Sequence, residues 1–214
     1  MTINVLIADD HTIVAEALSH VLEAQSDIRV VAHVTDGRGA VRRTEELTPH
    51  VVLMDILMPE LNGIEATRAI REQMKHVQVV MLSAFSNPDY VLRAVRAGAR
   101  GFVAKNAKCK DVIDAIHNVN RGRTYFDPSI PQAVVAKALR DNMTTDLLDL
   151  LSVRERHVLQ LVVEGKSATE IARSLSLSPK SVETYRSRMR QKLSLRSLPE
   201  LVKFAIRNGL TTLD

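Results

Sequence analysis

Five polar residues close or follow short apolar runs in the first half of this 214-residue chain: Asp9 and Asp10, Asp55, Ser83 and Lys105. The apolar runs read as strands, and the carboxyl ends of strands in an open parallel sheet form the edge at which ligands bind. Taken singly, each acid is as readily a helix cap or loop carboxylate, and the lysine a solvated loop residue. As a set they point to one chemistry. Three carboxylates that converge raise one another's pKa unless a cation sits among them. Oxygen ligands suit a hard divalent ion, Mg²⁺ by preference. The Ser83 hydroxyl and the Lys105 ammonium then complete a group suited to phosphoryl transfer onto a carboxylate. The metal and the lysine neutralise developing charge, and the hydroxyl donates a hydrogen bond.

The elements that must position these residues follow from hydropathy. Strands are expected over 3–9, 28–34, 50–55, 77–83 and 100–104, with amphipathic stretches between them. Val14, Leu18, Val21 and Leu22 line one side of 12–25. Ile64, Thr67 and Ile70 recur at helical spacing in 63–74, and Val112, Ile113, Ile116 and Val119 form a stripe in 110–121. Asn87-Pro88 supplies a cap and a first-turn proline for a helix ending near 97. This alternation predicts an α/β doubly wound, flavodoxin-like parallel five-stranded sheet. The order 2-1-3-4-5 makes the first and third strands neighbours and brings their acids together.

Past residue 121 the pattern changes. Residues 122–128 read as an exit loop, 131–140 as a possible short helix and 141–146 as a flexible break. These mark a linker over 123–149 between a domain at 1–122 and a second at 150–214. In the second, Ser152 with Glu155, Ser167 with Glu170 and Ser197 with Glu200 fit capping boxes, and Ser178-Pro179 is a further helix start. Gly165 and Gly209 stand where helices stop. The expectation is an all-α domain of four helices, 152–164, 167–175, 179–193 and 197–208. The short Ser176-Leu177 turn joins the second to the third in a helix-turn-helix.

Charge divides at the same place. Residues 150–214 hold twelve basic and six acidic side chains, a net +6, whereas the rest holds seventeen against nineteen, a net −2. A basic tail on a mildly acidic body suggests a nucleic-acid partner. On the third helix, Val182, Tyr185, Met189 and Leu193 share an inward stripe, and Glu183, Thr184, Ser187, Arg188 and Gln191 face outward. Six basic residues against one acidic over 178–196 favour a groove-binding face over a merely solvated one.

The single cysteine, Cys109, excludes an intramolecular disulfide and reads as a small loop residue in a reducing compartment. No apolar run approaches a membrane span, and the chain enters a strand with no basic leader, so the expected site of action is the cytoplasm. Met54, Met58, Met74 and Met81 read as packing residues. His11 has no second histidine at ligand spacing, which argues against a transition-metal site.

The pattern Asp9-Asp10, Asp55-x-x-Met58-Pro59-x-x-x-Gly63, Ser83-Ala84 and Lys105 resembles the receiver domain of two-component response regulators, over residues 1 to about 121. The resemblance implies Asp55 as phosphoacceptor for a sensor histidine kinase. It implies Asp9, Asp10, Asp55 and the backbone carbonyl of Leu57 as Mg²⁺ ligands, Ser83 as the switch hydroxyl and Phe102 as the aromatic switch position. Two residues depart from the pattern. Asn106 replaces a frequent proline, which excludes a cis X-Pro bond after Lys105. Phe102 replaces a frequent tyrosine, which removes a hydroxyl.

Residues 151–210 resemble the LuxR-type helix-turn-helix through Leu151-Ser152-x-Arg154-Glu155, Gly165-Lys166-Ser167, Glu170-Ile171-Ala172, Ser178-x-x-Ser181-Val182 and Lys192-Leu193. Tyr185 stands where that family often has histidine. Helix position and resemblance together assign base edges to Glu183, Thr184 and Ser187, and phosphates to Lys180, Arg186 and Arg188. The implied protein is a transcription regulator that works as a homodimer on double-stranded promoter DNA and is not an enzyme beyond slow loss of its own phosphoryl group. An aspartate-based phosphatase is the rival reading, and it needs a second acid where Leu57 stands. A regulator that works without phosphorylation would have lost an acid or the lysine, and neither is lost.

Overall fold

The structure, a computed structural model, describes residues 2–84, 88–140, 147–195, 197–208 and 210–211. The chain divides into two compact units, Met1–Asn142 and Met143–Asp214.

In the first unit β1 (Ile3–Ala8), β2 (Ile28–Val34), β3 (Val51–Asp55), β4 (Gln78–Ser83) and β5 (Gly101–Ala104) alternate with α1 (Thr12–Glu23), α2 (Gly37–Leu47), α3 (Gly63–Gln73), α4 (Pro88–Arg96) and α5 (Cys109–Asn120). The central strands are Val- and Leu-rich because both faces are covered: every residue of β3 and β5 is buried. Alternation along each strand divides the core in two. Leu6, Val52, Met54, Val79, Met81 and Phe102 meet α2, α3 and α4. Val5, Ile7, Val51, Leu53, Val80, Leu82 and Val103 meet α1 and α5. Helix α2 buries Ala40 and Thr44; its start is set by Asp36, whose carboxylate accepts from Gly39 N.

The expected sheet had five strands; the observed one has six, all parallel, in the order β2-β1-β3-β4-β5-β6. The sixth, β6 (Tyr125–Phe126), comes from the segment read as an exit loop and pairs with β5, Gly101 opposite Tyr125 and Phe102 opposite Phe126. Two β-forming aromatic residues cover main-chain groups that would otherwise leave β5 an open edge. The short helix α6 (Gln132–Arg140) is also present and packs on α4, with Val134 and Val135 against the core and Ala138 buried. Residues 123–140 therefore belong to the first unit and are not a free linker. The break expected at 141–146 lies outside the described residues, as do Asn87 of the α4 cap and Gly209. Cys109 is the first residue of α5, not a loop residue, and is exposed.

In the second unit a 3₁₀ turn (Leu147–Leu150) precedes α7 (Val153–Val163), α8 (Ala168–Leu175), α9 (Pro179–Leu193) and α10 (Leu198–Arg207). Ser152 and Ser167 form full capping boxes with Glu155 and Glu170, while Ser178 and Ser197 accept from Ser181 N and Glu200 N. Ser176 ends α8 with left-handed backbone, φ 54°, and Gly165 ends the α7 turn at φ 80°. Val158, Leu159, Ile171, Leu175, Val182, Met189 and Leu201 form one core. Among the described residues, no helix is long and apolar enough to cross a membrane.

Candidate functional site

Parallel pairing of β1 with β3 sets Ala8 beside Met54, so the next residues, Asp9 and Asp55, leave the sheet side by side. Both are buried, at 0% and 3% exposure. Lys105, just past β5, reaches between them: its Nζ lies 2.9 Å from Asp9 Oδ2 and 3.0 Å from Asp55 Oδ2. Asp55 Oδ1 accepts from Ile56 N at 2.8 Å, which holds the carboxylate at the sheet edge. Burial is the largest influence on Asp55 and carries its pKa from 3.8 up to about 6; Lys105 opposes this, while Asp9 and Asp10 reinforce it. Burial acts to lower the Lys105 pKa, but the neighbouring Asp55 and Asp9 outweigh it and the net direction is upward.

The donor set fits a cation. Ligand atoms of Asp9, Asp10, His11 and Asp55 all lie within 4.8 Å of one another. Asp9 Oδ2 is buried and, among the described residues, accepts no hydrogen bond, although Lys105 Nζ is near. That oxygen has a lone pair to offer, and the site's one nearby ammonium is shared between two carboxylates. His11 Nδ1 stands 2.9 Å from Asp10 Oδ1 and 3.3 Å from Asp9 Oδ1. Leu57 is half-buried in the bend after β3. The loop then returns tightly: Gly63 N donates to Ile56 O at 2.9 Å, and a Cβ on Gly63 would overlap the Asp55 carbonyl oxygen.

Ser83 is buried at the end of β4, opposite Ala104 of β5, and Lys105 N donates to the Ser83 carbonyl at 2.7 Å. Phe102 is 1% exposed, between Met81 on β4 and Phe126 on β6. The fold thus gathers Asp9, Asp10, Asp55 and Lys105 into one cluster and sets Ser83 and Phe102 on the adjoining strands. Sequence reasoning missed His33, whose Nε2 lies 3.0 Å from the Asp9 carbonyl oxygen. It sits on β2, and no local pattern marks it.

The second candidate site is the outer face of α9. Val182, Met189 and Leu193 are buried and Tyr185 is half-buried against the same core, as the stripe predicts. Lys180, Glu183, Thr184, Ser187 and Arg188 are exposed. Arg186 is not free: it donates to Glu183 Oε1 at 3.0 Å and to the Lys166 carbonyl at 3.3 Å. Thr184 Oγ1 donates to the Lys180 carbonyl at 3.0 Å.

Two family models match the chain: the response regulator receiver domain over residues 5–117 and the LuxR family of bacterial regulatory proteins over 149–205. The response regulator protein VraR of Staphylococcus aureus is 34% identical over 210 residues, 98% of this chain and 99% of that protein. A LuxR-family two-component response regulator from Aurantimonas superposes with TM-score 0.61 and 31% identity over 65% of this chain and all of the other. RcsB, solved as two dimers bound to two parallel DNAs, superposes with TM-score 0.58 and 25% identity over 97% of this chain and 99% of its own. With the acid–lysine cluster at one sheet edge and a polar helix face in the second unit, this chain belongs to the two-component response regulators with a LuxR-type DNA-binding domain, a family of phosphorylation-controlled transcription regulators.

Proposed function

We propose that Asp55 accepts a phosphoryl group from a sensor histidine kinase and that the modified protein binds promoter DNA through α9. The observation that carries this is the Lys105 ammonium held 2.9 Å from Asp9 and 3.0 Å from Asp55. With a pKa of about 6, Asp55 is largely ionised at neutral pH and can attack as a carboxylate. Its oxygen forms the new P–O bond as the P–N bond of the donor phosphohistidine breaks, and the electron pair leaves on the imidazole. Lys105 offsets charge on the phosphoryl oxygens. Mg²⁺, held by Asp9, Asp10, Asp55 and the Leu57 carbonyl, would supply the remaining charge neutralisation. Water reverses the modification slowly, since Leu57 offers no acid where a phosphatase has one.

The Ser83 hydroxyl hydrogen-bonds the bound phosphoryl group, and Phe102 shifts with it. The change reaches the surface of α4, β5 and α5. Phosphorylation frees α9 and favours a dimer, the assembly in which RcsB is seen on DNA. In the groove, Glu183, Thr184 and Ser187 meet base edges, and Lys180 and Arg188 meet phosphates. Arg186 joins them on releasing Glu183. The cytoplasm, where kinase and DNA are both accessible, is the site of action.

Intact-mass measurement after incubation with Mg²⁺ and a small acyl phosphate tests the first step. One phosphoryl adduct on the wild type and none on Asp55→Asn is expected. An adduct on both places the acceptor elsewhere.

A further inference from the structure

The segment leading from the first unit toward the second pairs with β5 through its main chain, and one carboxylate extends that tie to the phosphoacceptor edge. Strand β6 is only two residues long, so its main chain cannot serve the whole of β5. Tyr125 N donates to the Arg100 carbonyl at 3.0 Å and Asp127 N to the Phe102 carbonyl at 2.9 Å, in ordinary ladder fashion. The next donor along β5 is Ala104 N. No strand continues to meet it, and Ala104 is buried. The Asp127 side chain turns back and takes that place, accepting from Ala104 N through Oδ2 at 3.4 Å and from Ser129 N through Oδ1 at 2.8 Å.

Asp127 is itself only 6% exposed. Burial acts to raise its pKa, but the hydrogen bonds from Ser129 and Ala104 prevail and hold the carboxyl below the ordinary aspartate range. The charged form is therefore the one the fold is built around. Its partner Ala104 is bonded in sequence to Lys105, whose own N–H donates to Ser83 O at 2.7 Å. Asp127 thus touches the peptide between Phe102 and Lys105. On its other side the chain passes through Pro128 and the buried Ile130 into α6, which packs on α4.

We infer that Asp127 is a positioning residue: it sets the Val103–Ala104 peptide, one residue before Lys105 at the phosphoacceptor edge, and makes the segment that leads to the DNA-binding unit move with that edge. A shift of β5 that follows phosphorylation then displaces the start of α6, because the carboxylate bridges the two across the end of the sheet. Without it, Asp55 still accepts the phosphoryl group but the DNA-binding unit is poorly informed of it. This inference rests on the reading of Asp55 as phosphoacceptor.

The test uses full-length wild type, Asp127→Asn and Asp127→Ala. Asn keeps the size but only one acceptor oxygen, and Ala keeps none. Three quantities are read: phosphoryl adduct at Asp55 by mass, thermal midpoint, and affinity with and without phosphorylation for a duplex selected from a random pool by phosphorylated wild type. Expected for Asp127→Asn are an adduct level and an unphosphorylated affinity within about twofold of wild type, with the phosphorylation-dependent gain reduced by at least about fivefold, the lower end of ordinary coupling between sites. Asp127→Ala should lose more of that gain. A wild-type gain in both variants overturns the inference. So does a gain that falls only in proportion to adduct and thermal midpoint, which would be a purely structural role. Absence of an adduct at Asp55 in wild type overturns the phosphoacceptor reading instead.

Discussion

Lys192 Nζ lies 2.7 Å from Glu155 Oε2, joining the last turn of α9 to the first turn of α7. Glu155 is 3% exposed and also accepts from Ser152 N at 2.7 Å, so one carboxylate both caps α7 and anchors α9. Burial acts to raise its pKa, but the bonds from Lys192 and Ser152 prevail and the net direction is downward. A carboxyl depressed in the folded state contributes stability above its unfolded pKa and loses it as pH falls through the folded value. Lys192→Met should therefore destabilise the second unit by about 1–2 kcal/mol at pH 7, and the difference should shrink in acid below the ordinary glutamate range. Urea midpoints of the full chain at pH 7 and pH 3.5 check this; an equal loss at both would remove the ion pair from the explanation.

Asp55 has the opposite sign. Its folded pKa, about 6, lies above the unfolded 3.8, so the metal-free protein loses stability as pH rises across that interval. The loss is of order 3 kcal/mol if the whole shift is expressed. Mg²⁺ should restore part of it. Thermal midpoints should rise with millimolar Mg²⁺ at pH 7.5, fall back with EDTA, and move much less at pH 5, where Asp55 holds its proton. Asp9→Asn should blunt the response.

Gly63→Ala should cost about 1–3 kcal/mol by overpacking, because the new methyl meets the Asp55 backbone carbonyl, which cannot swing away. It should also slow phosphoryl acceptance, since the same carbonyl belongs to Asp55, the proposed acceptor. Gly165→Ala is the contrast. A Cβ there meets nothing within 4 Å, but φ is +80°, so a cost of about 1–2 kcal/mol comes from backbone alone. Denaturant midpoints separate the two, and only the first should alter the rate of adduct formation.

A dimer with about three phosphate contacts per protomer should show a log–log salt slope near −5. Arg188→Ala should reduce that slope by roughly 2 across the dimer and weaken binding to all sequences alike. Glu183→Gln, which removes the charge from the carboxylate that pairs with Arg186, should leave the slope no smaller and change preference at one base position. Binding measured from 50 to 200 mM salt on the selected duplex and on a scrambled one distinguishes these, and a slope near zero would show that the α9 face is not the one used.

Much of this was legible in the residues because it is local. Apolar runs of strand length, caps such as Ser152 with Glu155 and the α9 stripe through Val182, Met189 and Leu193 each depend on neighbours a few positions away. The elements between the caps came out with ends within a residue or two. Asp9, Asp10, Asp55 and Lys105 were recognisable because each follows a strand, and strand ends in a parallel sheet must share an edge.

Local residue patterns thus specify which elements form and which residues could bear the chemistry. Tertiary structure decided the rest, since it depends on pairings between distant segments that leave no periodic trace. Tyr125–Phe126 became a sixth strand because β5 had main-chain groups to satisfy, and Arg186 met the Lys166 carbonyl because the chain brought that partner within reach. Asp127 and His33 reach the site the same way, through the backbone of Ala104 and Asp9. A buried N–H or carbonyl seeks whatever partner the fold delivers, and composition does not say which that will be.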